Sequence, residues 1–304
     1  MTGPRDFSRI TVVSVTGVAG PGGGEAAVPS LVHSASMLPG CRAMLISPTR
    51  PEGLPRHIAH QRIKPFGYIE YSLFILYGLQ HFIETDFALV VQDDGWVLDA
   101  ERWNDRFYQY DYIGAPSVNA LVINRQGQQA VITQYEWVNL LSDPQFTVYP
   151  VYNGGFSLRS RRLLEAPGRL GLGMNVHYPL LSYKMATEPG HAGERVHELD
   201  WPYGQHAEDA QVCMLTRLAL QNGGVRYAPL DLAMDFSFEY MGPIIHEGYD
   251  FARAFGSHCK ARRMIGLDPV TVDCRAGRDV IDHASRQREM LEFMGKALGY
   301  EILI

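Results

Sequence analysis

The sequence lacks the features that mark membrane-spanning and secreted proteins. No stretch of its 304 residues approaches the roughly 20 consecutive apolar residues that cross a bilayer. Its first residues, MTGPRDFSRI, do not combine a basic start with a long apolar run, which is the pattern of a secretory signal. We therefore expect a cytoplasmic protein with neither a transmembrane segment nor a signal peptide.

Cysteine is scarce and widely spaced. The chain has 4 cysteines, at positions 41, 213, 259 and 274, and no two of them form a CxxC pair. This spacing supports neither a disulfide framework nor a zinc knuckle. We expect reduced and mostly buried thiols.

An excess of positive charge is also missing. The formal net charge is -6, with 46% hydrophobic and 20% charged residues and no low-complexity tract, as in an ordinary soluble protein. An acidic balance gives no electrostatic reason for tight binding to nucleic acid, so a nucleic-acid partner is not expected. Only SLRSRR (157–162) and CKARR (259–263) could form a local basic patch.

Several apolar, β-branched runs are present and predict a buried sheet. ITVVSV (10–15), RAMLIS (42–47) and FALVV (87–91) are typical of strands that are buried on both faces. YDYIGAP (110–116) predicts a short strand that ends at Pro116. A small-residue helix after the first strand and a helix over 68–84 alternate with these strands. This order predicts an α/β fold with a Rossmann-type, mostly parallel sheet flanked by helices.

The second half of the chain has weaker patterns. A strand at ALVIN, a helix near TQYEWVNLL, a long structured loop and two further helices are expected there, the last two at 207–223 and about 277–300. No repeat or long linker divides the chain, so we expect one domain over residues 1–304.

The motif FALVVQDDGWVLD contains the first candidate site. In an open parallel sheet, ligands bind at the carboxyl ends of the strands, where Gln92, Asp93 and Asp94 are placed. Two carboxylates and an amide suit a divalent cation such as Mg²⁺ or Mn²⁺. The alternative is a plain turn or helix cap, because Asp-Gly is a common turn pair.

The motif YNGGFSLRSRR (152–162) is a second candidate. Gly154 and Gly155 would let the backbone approach a ligand closely, and the arginines that follow could hold a phosphate or carboxylate. A hairpin turn with a solvated basic face explains the same residues.

The motif GQHAEDAQVC (204–213) is a third candidate. His-Ala-Glu opens the metal motif of zinc deaminases, but the Pro-Cys-x-x-Cys that they also need is absent, which excludes that class. Glu208 and Asp209 then occupy the first turn of a helix. They either complement the helix dipole or supply a general base.

Two further segments are less specific. His258 in FGSHC is a lone histidine, which becomes functional only if the fold returns it to the acidic motif. The Gly-rich loop at 17–24 fits neither a Walker A sequence nor G-x-G-x-x-G, because Glu25 stands where the last glycine is needed.

The order of these motifs resembles a known family. The chain from about Tyr68 to His258 resembles bacterial-type proteins of largely unknown function that are related to GT-A glycosyltransferases. The resemblance rests on the motifs YSLFILYGL, TDFALVVQDDGWVLD, YDYIGAP, YNGGFSLRSRRLLEAP, ED, YAPLDLAMDFSFE and FGSH, in that order. YDYIGAP and NGGFSLRSR are the most specific segments. The resemblance implies a GT-A-like domain, with a nucleotide-binding part at about 8–116 and an acceptor part at about 117–265.

The resemblance also implies roles for individual residues. Asp94 and His258 would hold a divalent metal, Mn²⁺ or Mg²⁺, at the diphosphate of a nucleotide-sugar donor. Asp209, with Glu208 beside it, would supply the base that deprotonates an acceptor hydroxyl. The implied donor contacts are Thr16, Gln92, Asp93, Asp94, Gly154, Gly155, Phe156 and Arg159. Gln92 departs from the usual Asp-x-Asp pattern, and a neutral amide there would weaken the metal site.

These implications lead to one principal hypothesis and two alternatives. The principal hypothesis is an inverting, metal-dependent glycosyltransferase acting on a glycan or lipid-linked saccharide, which would place it in the cytoplasm or at the inner membrane face. One alternative is a metal-dependent phosphohydrolase that uses Asp93, Asp94 and His258. The other is a sugar-nucleotide binding protein without catalytic activity, which the Gln92 departure motivates.

Overall fold

A computed structural model describes residues 5–20, 23–176, 179–187, 190–240, 242, 244–277 and 285–304. The strands are β1 (Ile10–Val15), β2 (Arg42–Ser47), β3 (Ala59–Arg62), β4 (Phe87–Val91), β5 (Gly95–Val97), β6 (Tyr112–Asn124), β7 (Gln129–Ile132), β8 (Phe146–Ser160), β9 (Leu180–Met185), β10 (Arg195–Asp200), β11 (Ser237–Phe238), β12 (Gly256–His258), β13 (Arg263–Leu267), β14 (Val270–Asp273) and β15 (Glu301–Leu303).

The helices connect and flank these strands. The α-helices are α1 (Gly24–Met37), α2 (Tyr68–Leu73), α3 (Arg161–Arg169), α4 (Glu208–Ala210), α5 (Arg217–Asn222), α6 (Leu230–Phe236) and α7 (Ser285–Ala297). Phe74–Gly78 and Gln211–Leu215 are π-helical. Short 3-10 turns cover Leu79–His81, Ala100–Arg102, Asp105–Gln109, Glu136–Leu140, Pro202–Gly204, Phe251–Arg253 and Arg275–Gly277.

The central sheet has seven strands in the order β3-β2-β1-β4-β8-β6-β7. Strands β3, β2, β1 and β4 are mutually parallel, whereas β8 is antiparallel to both β4 and β6, and β7 is antiparallel to β6. Five of the seven strands therefore run in one direction. The predicted α/β fold, with a mostly parallel sheet flanked by helices, is confirmed.

The apolar runs form strands because both faces of the sheet are covered. In β1, Val12 belongs to one core cluster and Val13 to another. Leu89 and Val90 in β4 divide in the same way. Successive side chains of a strand point to opposite faces, so a strand between two helical layers must be apolar throughout.

Two expectations about local structure are wrong, and one of the open alternatives is excluded. Pro116 does not end a strand, because β6 continues through it with register shifts on both sides, and an irregular pairing tolerates a residue without an N–H. Gly154 and Gly155 lie inside the long strand β8 rather than in a turn. The segment 168–205, predicted as a loop, contains the antiparallel pair β9 and β10.

Other expectations are partly correct. The predicted helix over 68–84 is helical only to His81 and changes from α to π at Phe74. The helix over 207–223 is interrupted at Thr216, whose φ of -111° and ψ of 2° are not helical. The C-terminal helix is described from 285 to 297, and residues 278–284 of that prediction lie outside the described residues.

The cysteines and the lengths of the helices bear on two further expectations. All four cysteines are free, three of them are buried, and Cys41 is half-buried. Within the described ranges, no helix is both long enough and apolar enough to cross a membrane.

Candidate functional site

The acidic motif lies where β4 ends, at the edge of the sheet that the sequence predicted. Gln92, Asp93 and Asp94 follow Val91 and precede β5. The backbone N–H groups of Cys259 and Met264 donate to the carbonyl oxygens of Asp94 and Asp93, at 2.9 and 3.0 Å. The motif is therefore fixed by a segment that comes much later in the chain.

That later segment brings His258 to Asp94. Strand β5 pairs antiparallel with β12, and this register sets His258 opposite Gly95. The Nε2 atom of His258 lies 3.2 Å from Asp94 Oδ1, and both side chains are buried. Burial opposes the charged form of His258, but the negative charges of Asp94 and Glu239 outweigh it and raise the pKa of the imidazole.

The buried atoms of this pair are compatible with a bound cation. Apart from the ion pairs of His258 with Asp94 and Glu239, Asp94 Oδ1 and both ring nitrogens of His258 have no hydrogen-bond partner among the described residues. Two ligand atoms at right angles on one Mg²⁺ or Mn²⁺ would lie about 3 Å apart, close to the separation of the Asp94 and His258 atoms. In the described part of the chain no cluster of three or more His, Cys, Asp or Glu is arranged for a metal. Water or phosphate oxygens would have to complete the shell, as is common for Mg²⁺.

Glu239 is a site residue that the sequence reasoning missed. It follows β11, which pairs in parallel with β12, so it lies beside His258. Its Oε1 atom is 3.7 Å from His258 Nδ1 and accepts a hydrogen bond from Asn153 Nδ2 at 3.1 Å. Asn153 Oδ1 in turn accepts the N–H of Gly155 at 2.6 Å. Glu239 thus lies between His258 and Asn153 of β8 and contacts both side chains.

A cleft of about 470 Å³ adjoins the acidic motif. Thr16, Gln92 and Asp93, three of the predicted donor contacts, all line it. Gln92 Nε2 donates to the hydroxyl of Tyr71 at 2.8 Å, which fixes the amide on the wall of the cleft. The cleft is also lined by Gly17, Val18, Gly23, Phe66, Gly67, Tyr68 and Arg263.

Arg263 supplies positive charge to this cleft. Its Nε atom is 3.4 Å from Asp93 Oδ2, and its side chain is 61% exposed, so the guanidinium can also reach a ligand. Burial and the neighbouring Asp94 raise the pKa of Asp93, and Arg263 opposes that shift. The basic segment CKARR thus brings one exposed arginine to the acidic motif.

The two glycines of β8 are where the backbone approaches the site most closely. A Cβ on Gly155 would overlap His258 Nε2 and Gln92 Oε1, and a Cβ on Gly154 would overlap Glu208 Oε1. Neither glycine has a positive φ, so the requirement is for space rather than for backbone conformation. The sequence analysis predicted that both glycines lie at the site. In the structure, both lie against its side chains, Gly155 against His258 and Gln92 and Gly154 against Glu208.

Three predicted site residues have a different role in the structure. Arg159 was expected to contact the donor, but its side chain is buried and its Nη2 donates to Glu208 Oε1 at 2.8 Å. Glu208 is therefore held in a buried ion pair, which makes it a poor candidate for a base. Phe156, also an expected donor contact, is fully buried and packs on the rings of Phe236 and Phe255. Strand β8 is an inner strand covered on both faces, so its residues 154–160 are all buried. The motif alone did not show this.

Asp209 differs from its neighbour because it forms no ion pair with a described residue, and the charge of Arg159 only partly opposes the rise of its pKa. Its Oδ2 accepts the N–H of Gly154 at 3.3 Å and its Oδ1 accepts the N–H of Ala210 at 2.7 Å. Burial and the adjacent charge of Glu208 raise the pKa of Asp209 to about 7. A carboxyl group with a pKa near neutrality is suited to general base catalysis.

We expect Gly154→Ala and Gly155→Ala each to destabilise the fold by about 1–3 kcal/mol, because a new methyl group must displace packed side chains. Gly53→Ala is the matched control, since no atom lies within 4 Å of its Cβ position and its φ is not positive. Chemical denaturation gives the three free energies of unfolding. Equal values for all three variants would contradict the close approach at β8.

Breaking the Arg159–Glu208 pair should be costly. Arg159→Met leaves a buried carboxylate without its partner and should lower the free energy of unfolding by about 3–5 kcal/mol. We expect a loss of similar size for Glu208→Gln. The double variant should lose clearly less than the sum of the two. Additive losses in a double-mutant cycle would show that the two side chains do not interact.

The raised pKa of Asp209 predicts how stability varies with pH. The folded state keeps a proton on Asp209 that the unfolded state releases, since the two pKa values are about 7 and 3.8. The free energy of unfolding should therefore fall as the pH rises from about 4 to about 7, and this component should vanish in Asp209→Asn. Identical pH profiles of unfolding for the two proteins would refute the shift.

Comparisons with known proteins give a family and a distant structural similarity. Among solved structures, the chain is similar to a mutant of UDP-glucose pyrophosphorylase from Leishmania major in complex with UDP-glucose. The identity is 10% and the TM-score 0.35, over 68% of this chain and 60% of the pyrophosphorylase. No curated protein matches the chain significantly.

The family match covers the site described above. Residues 71–258 match the family described as "Protein of unknown function (DUF5672)". This range begins at Tyr71 on the cleft wall and ends at His258, and it includes Asp94, Gly155 and Asp209. Because the match spans more than half of the 304 residues, the chain belongs to this family.

Proposed function

We propose that this protein is a metal-dependent glycosyltransferase that moves a sugar from a nucleotide-sugar donor to an acceptor hydroxyl. One observation supports this proposal most strongly. The buried Asp94–His258 pair approaches Gly155 of β8, and the carboxyl group of Asp209 accepts the N–H of the adjacent Gly154. A transferase needs two such centres, one for the departing diphosphate and one for the attacking hydroxyl.

The first centre suits the leaving group. Asp94 and His258 would hold the divalent metal, which when bound supplies positive charge to stabilise the diphosphate that is released. The donor would occupy the cleft next to it, with Thr16 and Gln92 on its walls. Arg263 at the same cleft would add an exposed cation for the diphosphate.

The second centre suits the acceptor. Asp209, with its pKa near 7, would take the proton from the attacking hydroxyl oxygen as that oxygen bonds to the anomeric carbon. Attack from the face opposite the leaving group inverts the anomeric configuration. Arg159 neutralises Glu208, so of these two neighbouring carboxyl groups Asp209 is the one free to accept the proton.

The reaction products separate the proposal from its alternatives. The protein would be incubated with UDP-, GDP-, CMP- and dTDP-sugars and Mn²⁺, with and without a mixture of oligosaccharides. Transfer requires nucleotide release that depends on the acceptor and yields a lengthened saccharide. A phosphohydrolase would instead use water to break the phosphoanhydride bond of a UDP-, GDP- or dTDP-sugar and release nucleoside monophosphate and sugar 1-phosphate without acceptor, and a binding protein would produce neither.

Asp209→Asn should abolish transfer while donor binding is retained, because the amide cannot accept the proton at neutral pH. In the unmodified protein, the transfer rate should rise with pH through an apparent pKa of about 7, as the carboxyl group loses its proton. Transfer rates at several pH values and a donor-binding titration of both proteins provide the measurement. Full activity of the variant would remove Asp209 from the mechanism.

Glu239 should strengthen metal binding by orienting the imidazole of His258. We expect Glu239→Gln to weaken Mn²⁺ binding about ten- to a hundredfold, as is typical when the carboxylate partner of a ligating histidine is lost. Electron paramagnetic resonance of free Mn²⁺ measures the affinity without any turnover. Glu52→Gln, at an exposed turn, is the control. Equal affinity in both variants would exclude a role for Glu239 at the metal.

A further inference from the structure

A row of aromatic side chains connects the donor cleft with the segment that carries Asp209. We define this aromatic row as Tyr71, Tyr68, His206 and Trp201. The Tyr71 and Tyr68 rings are stacked at 6.2 Å, Tyr68 and His206 meet edge to face at 5.2 Å, and His206 and Trp201 are 5.6 Å apart. The family match and the motifs give these four side chains no role.

The row begins at the donor cleft and continues into the chain segment that precedes the proposed base. Tyr68 and Tyr71 both line the cleft, and Tyr71 accepts the hydrogen bond from Gln92. The Tyr68 ring contacts His206, which lies on the chain shortly before Asp209, so the row reaches the segment that carries the proposed base. A ligand on the row would touch the donor at one end and lie near Asp209.

The row has more exposed aromatic surface than packing requires. Tyr68 is 60% exposed, although its ring contacts those of Tyr71 and His206. The other three tryptophans of the chain are buried, whereas Trp201 is only partly covered. Aromatic rings left open beside a cleft are typical of ligand-binding surfaces.

We propose that the aromatic row is the acceptor subsite and that it binds a saccharide ring. A pyranose has C–H groups on its flat face and hydroxyls around its rim, so its face can pack on Tyr68 and Trp201 while a rim hydroxyl reaches Asp209. This inference rests on the proposed function, and it specifies the acceptor as a sugar rather than a protein side chain or a lipid alcohol.

The surroundings leave room for a saccharide longer than one ring. Next to Trp201, Pro202 and Tyr203 line a second cleft of about 630 Å³. Its walls combine apolar and amide side chains, among them Leu121, Met214 and Asn175. A saccharide chain seated on the row could continue into this cleft, so trisaccharides are suitable probes.

Trp201 provides a built-in reporter for the test. Because Trp96, Trp103 and Trp137 are buried, a ligand on the row should change the tryptophan emission mainly through Trp201. The probes would be maltotriose, cellotriose and chitotriose, with sorbitol as a control that has hydroxyls but no ring. We expect a saturable emission change with at least one trisaccharide, no change with sorbitol, and no response in Trp201→Phe.

Variants then locate the binding surface. Tyr68→Ala should weaken trisaccharide binding about five- to tenfold, as expected for loss of one aromatic contact. Tyr183→Ala, which removes an exposed tyrosine from strand β9, is the matched control and should leave the affinity unchanged. Equal losses in the two variants would overturn the proposal.

Two other outcomes would also overturn it. If no trisaccharide changes the emission, the row does not bind saccharide rings. If UMP, GMP or CMP alone changes the Trp201 emission while the trisaccharides do not, the row belongs to the donor base. A separate thermal-shift titration of nucleotide sugars tests the donor site, so failure of the acceptor subsite can be distinguished from failure of the proposed transferase.

Discussion

The antiparallel pairing of β5 with β12 is the contact on which the rest of the site depends. It sets His258 opposite Gly95 and so brings the imidazole to within 3.2 Å of Asp94. Strand β11 pairs with the other edge of β12 and delivers Glu239 to the same imidazole. Three short strands from distant parts of the chain therefore assemble one buried cluster of ionisable groups at the end of β4.

Burying ionisable groups costs free energy because they lose their hydration. The fold compensates this loss for some of the groups more fully than for others. Ionised groups in a protein interior need partners, and the pair Arg159–Glu208 is one solution. Asp209 receives only backbone N–H groups, and its pKa rises to about 7. Two adjacent carboxyl groups on one short helix thus acquire different properties, one held in an ion pair and the other with a raised pKa.

The sequence predicts what local patterns determine. Continuous apolar runs gave the strands of the parallel half, and the position of Asp94 after β4 followed from them. Local patterns did not show that Arg159 and Phe156, for which the resemblance implied donor contacts, are buried, since their burial depends on strands and helices on both sides of β8. The sequence reasoning missed Glu239 because only the pairing of β11 with β12 shows that it lies beside His258.

The central claim, a metal-bound nucleotide-sugar donor at Asp94, is tested most directly by thermal shift. Each of the UDP-, GDP-, CMP- and dTDP-sugars would be added with Mn²⁺ or with EDTA, to the protein and to Asp94→Asn. Ligand binding to the folded state raises the melting temperature by mass action. We predict a rise with one nucleotide class that needs Mn²⁺ and disappears in the variant. No rise with any nucleotide sugar, or an equal rise in Asp94→Asn and EDTA, would contradict the claim.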